Sequence, residues 1–235
     1  MTPKEHTSSV IIDVLIPAYN EENSVGKVIA DIPESVRNII VVNNRSSDGT
    51  GEVAGDAGAT VLDESQKGYG KACLTGMAYI KKLEKAPDIL VFLDADYSDY
   101  PEQLLQVVRP ILDEDIDMVI GSRARGIREK GAMTLPQRFG NRLATWLMRQ
   151  LYGMDYSDLG PFRAIKWKKL LELGMADENF GWTIEMQIKA HKMGLRTTEV
   201  PVDYRKRIGV SKVSGTLKGV LGAGYKILWT IWKYR

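Results

Sequence analysis

The sequence contains very few of the residues that build disulfides and zinc sites. Its 235 residues include one cysteine, Cys73, and two histidines, His6 and His191, which are far apart. A single cysteine excludes an intrachain disulfide and fits a reducing compartment, so we expect a cytoplasmic protein. A Cys/His zinc site is not expected either, because it needs several such side chains close together.

The chain also lacks a long uninterrupted apolar run and an excess of charge of one sign. Residues 1–9 form a polar tail without the apolar core of a signal peptide, and lysines interrupt the longest apolar stretch, near the C terminus. We therefore expect no membrane-spanning helix. The 32 basic residues nearly balance the 30 acidic ones, which gives no support for a nucleic-acid partner.

Short apolar runs alternate with helical patterns along the chain. Helices are predicted between successive runs, and strands are predicted at residues 10–17, 39–42, 59–62, 89–93, 118–120 and 197–204. This alternation is typical of an α/β fold with a mostly parallel central sheet and helices on both faces. With no repeat and no linker, residues 1–235 are expected to form a single domain.

Polar loops follow three of these predicted strands. They are Tyr19-Asn20-Glu21, residues 43–48 and residues 94–99. Parallel sheets bind ligands beyond the carboxyl ends of their strands, so the loops should converge on one cleft. Asp94 and Asp96 would repel each other there unless a cation lay between them, and their oxygens suit Mg²⁺ or Mn²⁺ held jointly with phosphates. The alternative is a solvated acidic loop.

The order of several motifs resembles a known family. IPAYNEENSVGKVI, VVNNRSSDGT, KGYGKACLTG and FLDADYSDYPE resemble glycosyltransferase family 2, which has the GT-A fold. GSRARG, DLGPFRAI and EVPVDYRKRIGVSKVSG are similar to the polyprenyl-phosphate sugar synthases, so the resemblance covers nearly the whole chain. It implies an inverting, metal-dependent hexosyltransferase that uses a nucleotide-sugar donor and a lipid-phosphate acceptor.

The resemblance also implies roles for individual residues. Asp94 and Asp96 would hold the metal, and Asp96, Arg123, Asp158 and Glu185 are the catalytic candidates. The expected nucleotide-sugar residues are Pro17, Ala18, Tyr19, Glu21, Asn44, Asp48, Gly68, Gly70, Lys71, Asp94 and Ala95. The expected phosphate and acceptor residues are Arg123, Arg163, Trp182, Arg207 and Lys212.

The identity of a catalytic base stays open, because it depends on the acceptor. A hydroxyl acceptor must lose a proton, whereas a phosphate is already ionised and can attack directly. Glu185 and Asp158 are the candidates for transfer to a hydroxyl of a soluble or lipid acceptor. The structural alternative for Glu185 is an ordinary acid on a helix surface, and for Asp158 it is a turn cap. For Arg163, pairing with Asp158 across the turn is as well supported as a role in binding.

Two departures from the family pattern bear on the donor and the metal. Asn43 and Asn44 stand where the family usually has an acidic residue. An amide both donates and accepts hydrogen bonds and so can match uracil, which favours a uridine donor over guanosine unless both amides only make turn bonds. Ser98 and Asp99 stand where mannose synthases often have Gln-His, which leaves the metal shell undefined.

Residues 216–235 predict an amphipathic C-terminal helix that mixes Leu, Ile, Trp and Lys. Such a helix can lie in a membrane interface, which would make the protein peripheral on the cytoplasmic membrane face. The alternative is packing on the domain or on a second subunit of a homodimer.

Two rival functions are weaker. A sugar-phosphate nucleotidyltransferase would need a basic, glycine-rich loop directly after the first strand, where PAYNEEN stands instead. A non-catalytic nucleotide-sugar-binding protein would have little reason to keep Asp94 and Asp96 facing one another without an ion.

Overall fold

The computed structural model describes residues 10–209 and 217–235, and Lys212 lies outside them. A seven-stranded sheet forms the centre of the molecule, and helices cover it. The strands are β1 (Ile12–Ala18), β2 (Asn38–Asn43), β3 (Thr60–Asp63), β4 (Ile89–Phe92), β5 (Met118–Ser122), β6 (Arg163–Lys166) and β7 (Thr197–Pro201). The helices are α1 (Val25–Ala30), α2 (Thr50–Asp56), α3 (Tyr69–Ile80), α4 (Leu104–Asp113), α5 (Leu135–Tyr152), α6 (Trp167–Glu172), α7 (Trp182–Lys192) and α8 (Leu217–Lys233).

The strand order in the sheet is β3-β2-β1-β4-β6-β5-β7. The chain winds outward from β1 through β2 to β3 and then returns to place β4 on the other side of β1. This reversal leaves a crevice beyond the carboxyl ends of β1 and β4, where ligands bind in open α/β sheets. The four predicted strands of this half are confirmed, with ends that differ by at most two residues.

Strand β6 was not predicted from the sequence. It has four residues and lies antiparallel to both β4 and β5, while the other strand pairs are parallel. A run of four residues with two charged ends has too little apolar pattern to reveal a strand, and only its two neighbours make it one.

Buried strand residues alternate between two cores. Val14 and Ile16 of β1 pack under α1, α2 and α4, whereas Leu15 packs on the opposite face under α3, α6 and α7. A third, smaller core joins α5, α7 and α8 through residues such as Met148, Ile188 and Ile231. Helix α5 begins at Leu135, because Thr134 and Gln137 form a capping box at its N terminus.

Candidate active site

The Asp94–Asp96 loop leaves β4 in the crevice between β1 and β4. Asp96 is 5% exposed, and its Oδ1 accepts hydrogen bonds from the backbone N–H of Ser98 at 2.9 Å and from the Ser98 hydroxyl at 2.5 Å. Ser98 therefore fixes the orientation of the Asp96 carboxylate.

Arg207 lies across this loop and links it to the loop after β1. Its guanidinium is 2.9 Å from Oδ2 of Asp96 and 3.1 Å from Oε1 of Glu21. The backbone N–H of Ile208 also donates to the carbonyl of Asp96 at 3.0 Å. Arg207 thus supplies a positive charge where a diphosphate and a metal would meet these carboxylates.

Asp94 has the electrostatics expected of a cation ligand. Burial, together with the neighbouring Asp96 carboxylate, raises its pKa from 3.8 to about 7. Its Oδ1 is buried and makes no hydrogen bond within the described part of the chain. An orphaned, buried carboxylate oxygen beside a second carboxylate fits Mg²⁺ or Mn²⁺.

The protein would supply only part of such a metal shell. Among residues 10–209 and 217–235, no three Asp, Glu, His or Cys side chains form a cluster that could hold an ion. Asp99 follows these two carboxylates: both of its oxygens are buried without hydrogen-bond partners in the described residues, and burial together with the charge of Asp94 raises its pKa well above the usual range. Two carboxylates with open positions leave room for diphosphate oxygens and water.

Hydrogen bonds join the loops that follow β1 and β2. The side chain of Asn20 accepts from the backbone N–H of Ser47 at 2.8 Å, and Thr50 accepts from the N–H of Glu21 at 2.8 Å. Asp48 in turn accepts from the backbone N–H of Thr50. These contacts bring Tyr19, Glu21 and Asp48 to one side of the crevice, next to the predicted nucleotide position.

The side chains of Asn43 and Asn44 are engaged within the protein. Asn43 donates to Asp63 at 2.8 Å and accepts from the N–H of Ser46 at 3.3 Å. Asn44 donates to the carbonyl of Gln66 at 2.6 Å and accepts from the N–H of Gly68 at 2.9 Å. Both amides make turn bonds, which removes the sequence-based reason for preferring uracil.

Gly68 and Gly70 allow a close approach between α3 and the loop before α7. A Cβ on either residue would overlap the backbone carbonyl of Asp177 or Glu178, and Gly68 has a φ of 151°. Lys71 donates its N–H to the carbonyl of Glu178 at 2.9 Å and pairs with the Glu178 carboxylate at 3.5 Å. The structure thus gives this segment a packing role beside the predicted role at the ribose and phosphate.

Arg123, directly after β5, forms a buried pair with Asp158. Its Nε and Nη2 atoms donate to the two carboxylate oxygens at 2.9 and 2.7 Å, and its backbone N–H donates at 2.8 Å. Burial opposes ionisation of Asp158, but the charge and hydrogen bonds of Arg123 outweigh it and lower the pKa of Asp158. A carboxylate fixed and acidified in this way is a poor proton acceptor.

Arg163 does not pair with Asp158, which corrects one of the two roles expected for it. Its guanidinium is fully buried and donates to the backbone carbonyls of Gly160, Leu159 and Thr183. Burial lowers the pKa of Arg163 to about 10. The side chain holds the turn before β6 against α7 and does not reach the crevice.

Glu185 has a structural environment, which argues against a role as catalytic base. It is fully buried, and its carboxylate accepts hydrogen bonds from the backbone N–H groups of Ala176 and Asp177 and from the Tyr234 hydroxyl at 2.6 Å. Lys189 lies 2.7 Å away. With these partners, the carboxylate ties α7 to the chain just after α8.

A largely apolar cavity of about 630 Å³ extends from Asp94, Asp96, Arg123 and Arg207 to the space between α5 and α8. Trp182, which is 1% exposed, is part of its wall. The apolar part is lined by Pro136, Phe139, Leu143, Leu159, Phe180, Ile227 and Leu228, among others. The carboxylates and arginines therefore stand at one end of an apolar groove.

The structure brings together five of the predicted site residues in this cavity, namely Asp94, Asp96, Arg123, Trp182 and Arg207. Sequence reasoning missed Tyr204, which lines the same cavity and lies 5.1 Å from the Arg123 guanidinium by its ring centre. Burial raises the pKa of Tyr204 to about 12. Its position at the end of the strand predicted at residues 197–204, directly before the basic residues 205–207, was the available signal.

Comparison with known proteins agrees with this geometry. The profile of glycosyl transferase family 2 matches residues 13–174. The chain is 35% identical over 211 residues to an uncharacterized glycosyltransferase of Mycobacterium tuberculosis, covering 88% of this chain and 92% of that protein. It is 32% identical to a dolichyl-phosphate hexose transferase of Haloferax volcanii (85% of each chain) and 30% identical to an undecaprenyl-phosphate mannosyltransferase of Micrococcus luteus (87% and 88%).

Solved structures support the fold. Glucosyl-3-phosphoglycerate synthase from Mycobacterium tuberculosis, crystallised with Mn²⁺, UDP and its product, superposes with a TM-score of 0.73 at 22% identity, over 96% of this chain and 80% of that one. Mannosyl-3-phosphoglycerate synthase from Rubrobacter xylanophilus gives 0.75 at 20% identity, over 95% and 73%. The fold is GT-A, and the chain is a glycosyltransferase of family 2 in the branch that resembles the polyprenyl-phosphate sugar synthases.

Proposed function

We propose that the protein transfers a hexose from a UDP-sugar to a polyprenyl phosphate, with inversion at the anomeric carbon and with Mg²⁺ or Mn²⁺. The observation that supports this best is the cavity that joins the two carboxylates and two arginines to an apolar groove. A lipid phosphate combines the same two features, a charged head and an apolar chain. The relatives named for dolichyl and undecaprenyl phosphate support the same acceptor class.

The two carboxylates and Arg207 would form the end of the cleft that binds the donor. A divalent ion bound by Asp94 and Asp96 would supply charge neutralisation for the departing diphosphate. Arg207 lies 2.9 Å from Asp96, so its guanidinium would be within reach of a diphosphate held at these carboxylates. Support for UDP comes from relatives rather than from Asn43 and Asn44, since one relative is named for UDP-N-acetylglucosamine.

Arg123 and the apolar walls of the groove would form the end of the cleft that binds the acceptor. Arg123 is held rigidly by Asp158 and is 12% exposed at the cavity, so it can bind an acceptor phosphate there. Side chains of α5 and α8, such as Phe139 and Leu228, would enclose the first isoprene units. The phosphate oxygen then attacks the anomeric carbon from the face opposite the diphosphate.

Direct attack by a phosphate needs no protein base, which agrees with the surroundings of the two candidate bases. Glu185 and Asp158 are both occupied by hydrogen bonds and cations. Transfer to a hydroxyl would require one of them to be released. The geometry therefore favours the phosphate over the hydroxyl acceptor.

A matched pair of acceptors tests this function. Purified protein would be incubated with labelled UDP-glucose and Mn²⁺, together with either undecaprenyl phosphate or undecaprenol in the same detergent. We expect chloroform-soluble label only with the phosphate, and loss of label with EDTA. Asp96→Asn should reduce the rate by about 10²–10³-fold, whereas the exposed Asp113→Asn should not change it.

The other outcomes are equally informative. Label on undecaprenol would overturn the phosphate acceptor and support the hydroxyl alternative. Labelling that survives EDTA would contradict the metal. If GDP-mannose replaced UDP-glucose with a higher kcat/KM, the uridine donor would be wrong while the transfer to lipid phosphate stood.

A further inference from the structure

We propose that the exposed sides of α5 and α8 form a docking surface for an anionic lipid bilayer, with the apolar groove opening at that surface. This inference rests on the proposed lipid acceptor for its purpose, but its physical basis is separate. The described part of the chain has no helix long and apolar enough to cross a membrane.

Each helix exposes a stripe of large apolar side chains. On α5, Leu135, Phe139 and Trp146 are 76%, 68% and 56% exposed, and their spacing of four and seven residues places them on one side of the helix. On α8, the exposed residues Tyr225, Leu228, Trp229 and Trp232 have the same helical spacing. Aromatic and aliphatic stripes of this kind insert into the interface between headgroups and acyl chains.

The charges on these helices have one sign. Neither α5 nor α8 contains an aspartate or a glutamate, and their sequences hold six basic residues, of which Arg149 and Lys226 are paired with Asp155 and Asp177 of neighbouring segments. The whole chain is nearly balanced, with 32 basic and 30 acidic residues, so this distribution is local. Arg142 is exposed and lies between Phe139 and Trp146 on the apolar side of α5. Such a surface complements anionic headgroups.

The surface is continuous with the mouth of the groove. Phe139 of α5 and Tyr225 and Leu228 of α8 are exposed and also line the cavity that leads to Asp96. A lipid whose head reaches Arg123 would therefore leave the protein between these two stripes. That is where its remaining isoprene units would have to enter the bilayer.

A second copy of the chain fits this surface less well than a membrane does. A twofold interface would place the same patch against itself, so the exposed Arg138 and Arg142 of α5 would face other basic side chains. Like charges in contact oppose association. Anionic lipids remove this conflict, because each headgroup brings its own negative charge.

Vesicle sedimentation tests the surface without donor, metal or acceptor. The full-length protein would be mixed with vesicles of phosphatidylcholine alone or containing about one-third phosphatidylglycerol. We expect binding mainly to the anionic vesicles. Arg142→Glu, and separately Trp146→Gln with Trp232→Gln, should each weaken this binding about tenfold, because each change removes headgroup attraction or inserted apolar area. None of these three residues lines the cavity.

Matched changes on the opposite side of the sheet serve as controls. Arg109→Glu and Leu112→Gln alter an exposed arginine and an exposed leucine of α4 and should leave vesicle binding unchanged. The proposal is wrong if the wild-type protein binds neither vesicle, or if the α5 and α4 variants bind equally. Light scattering gives a further test. The proposal is also wrong if the wild-type protein is a dimer that stays intact when vesicles are added but dissociates in the Trp146→Gln, Trp232→Gln double variant. Since no turnover is involved, failure here leaves the transferase proposal untouched.

Discussion

At the scale of single residues, Asp94 contributes to how the site responds to pH. Its folded-state pKa of about 7 is above the ordinary value of 3.8, so folding disfavours its ionised form. The stabilising contribution of the protonated group is fully present below about pH 4 and is lost as pH rises through about 7. Metal-free protein should therefore be less stable at about pH 8 than at about pH 5.5.

Thermal unfolding at these pH values, with and without Mn²⁺, checks this expectation. The ion should raise Tm much more at the higher pH, where Asp94 is ionised and available as a ligand. Asp94→Asn should flatten the pH dependence and remove most of the Mn²⁺ effect, while Asp56→Asn, an exposed acid on α2, should change neither. An unaltered pH slope in Asp94→Asn would show that another group is responsible.

The pairing of charged residues could not be predicted from sequence spacing. Asp94 and Asp96 are predictable because both follow one strand, and their positions in the crevice agree with that reasoning. Arg163 is closer to Asp158 in sequence than Arg123 is, yet Arg123 forms the pair. The antiparallel pairing of β5 with β6 brings Arg123, directly after β5, next to the turn before β6, and no local sequence pattern records that approach.

At the scale of elements, Glu185 connects α7 to the end of α8. Removing its carboxylate leaves the N–H groups of Ala176 and Asp177 without an acceptor and Lys189 without its partner. We expect Glu185→Ala to lower the free energy of unfolding by about 2–4 kcal/mol and Tyr234→Phe by about 1 kcal/mol. Urea denaturation measures both.

Kinetics on the folded variants separates this role from catalysis. At a temperature where both variants are folded, kcat should stay within a few-fold of the wild-type value, because Glu185 does not line the cavity. A stable Glu185→Gln protein whose kcat drops by about 10³-fold would instead restore Glu185 as the general base.

The elements differ in how well the sequence predicts them. Long periodic segments such as α3 and α7, and buried apolar strands such as β1 and β4, follow from their own pattern. Strand β6 and helix α6 do not, because they are short and depend on β4, β5 and the second core for their partners. Strand β6 and helix α6 therefore form because neighbouring elements bury them.

At the scale of the whole molecule, the donor should stabilise the fold by joining separate parts of it. Glu21 follows β1, Asp96 follows β4, and Arg207 follows β7, and they meet around one position. With ligand at about 100 times its Kd, binding adds about 2.7 kcal/mol, which corresponds to a Tm rise of roughly 5–10 °C for a domain of this size.

Differential scanning fluorimetry with UDP, GDP and Mn²⁺ measures this stabilisation. UDP with Mn²⁺ should raise Tm by more than either component alone, because the ion and the diphosphate share the carboxylates. Arg207→Ala should reduce the shift. An equal or larger shift with GDP would contradict the uridine donor.

The sequence by itself determined the α/β class, the strand–loop positions of the acidic motif and the family, since these depend on local periodicity and on contiguous motifs. The tertiary structure decided which charges pair, that Asn43, Asn44 and Glu185 are engaged within the protein, and that α5 and α8 enclose an apolar groove. These features depend on contacts between residues that are distant in the chain. Their energies come from burial and from the partners that burial brings together, which no local pattern encodes.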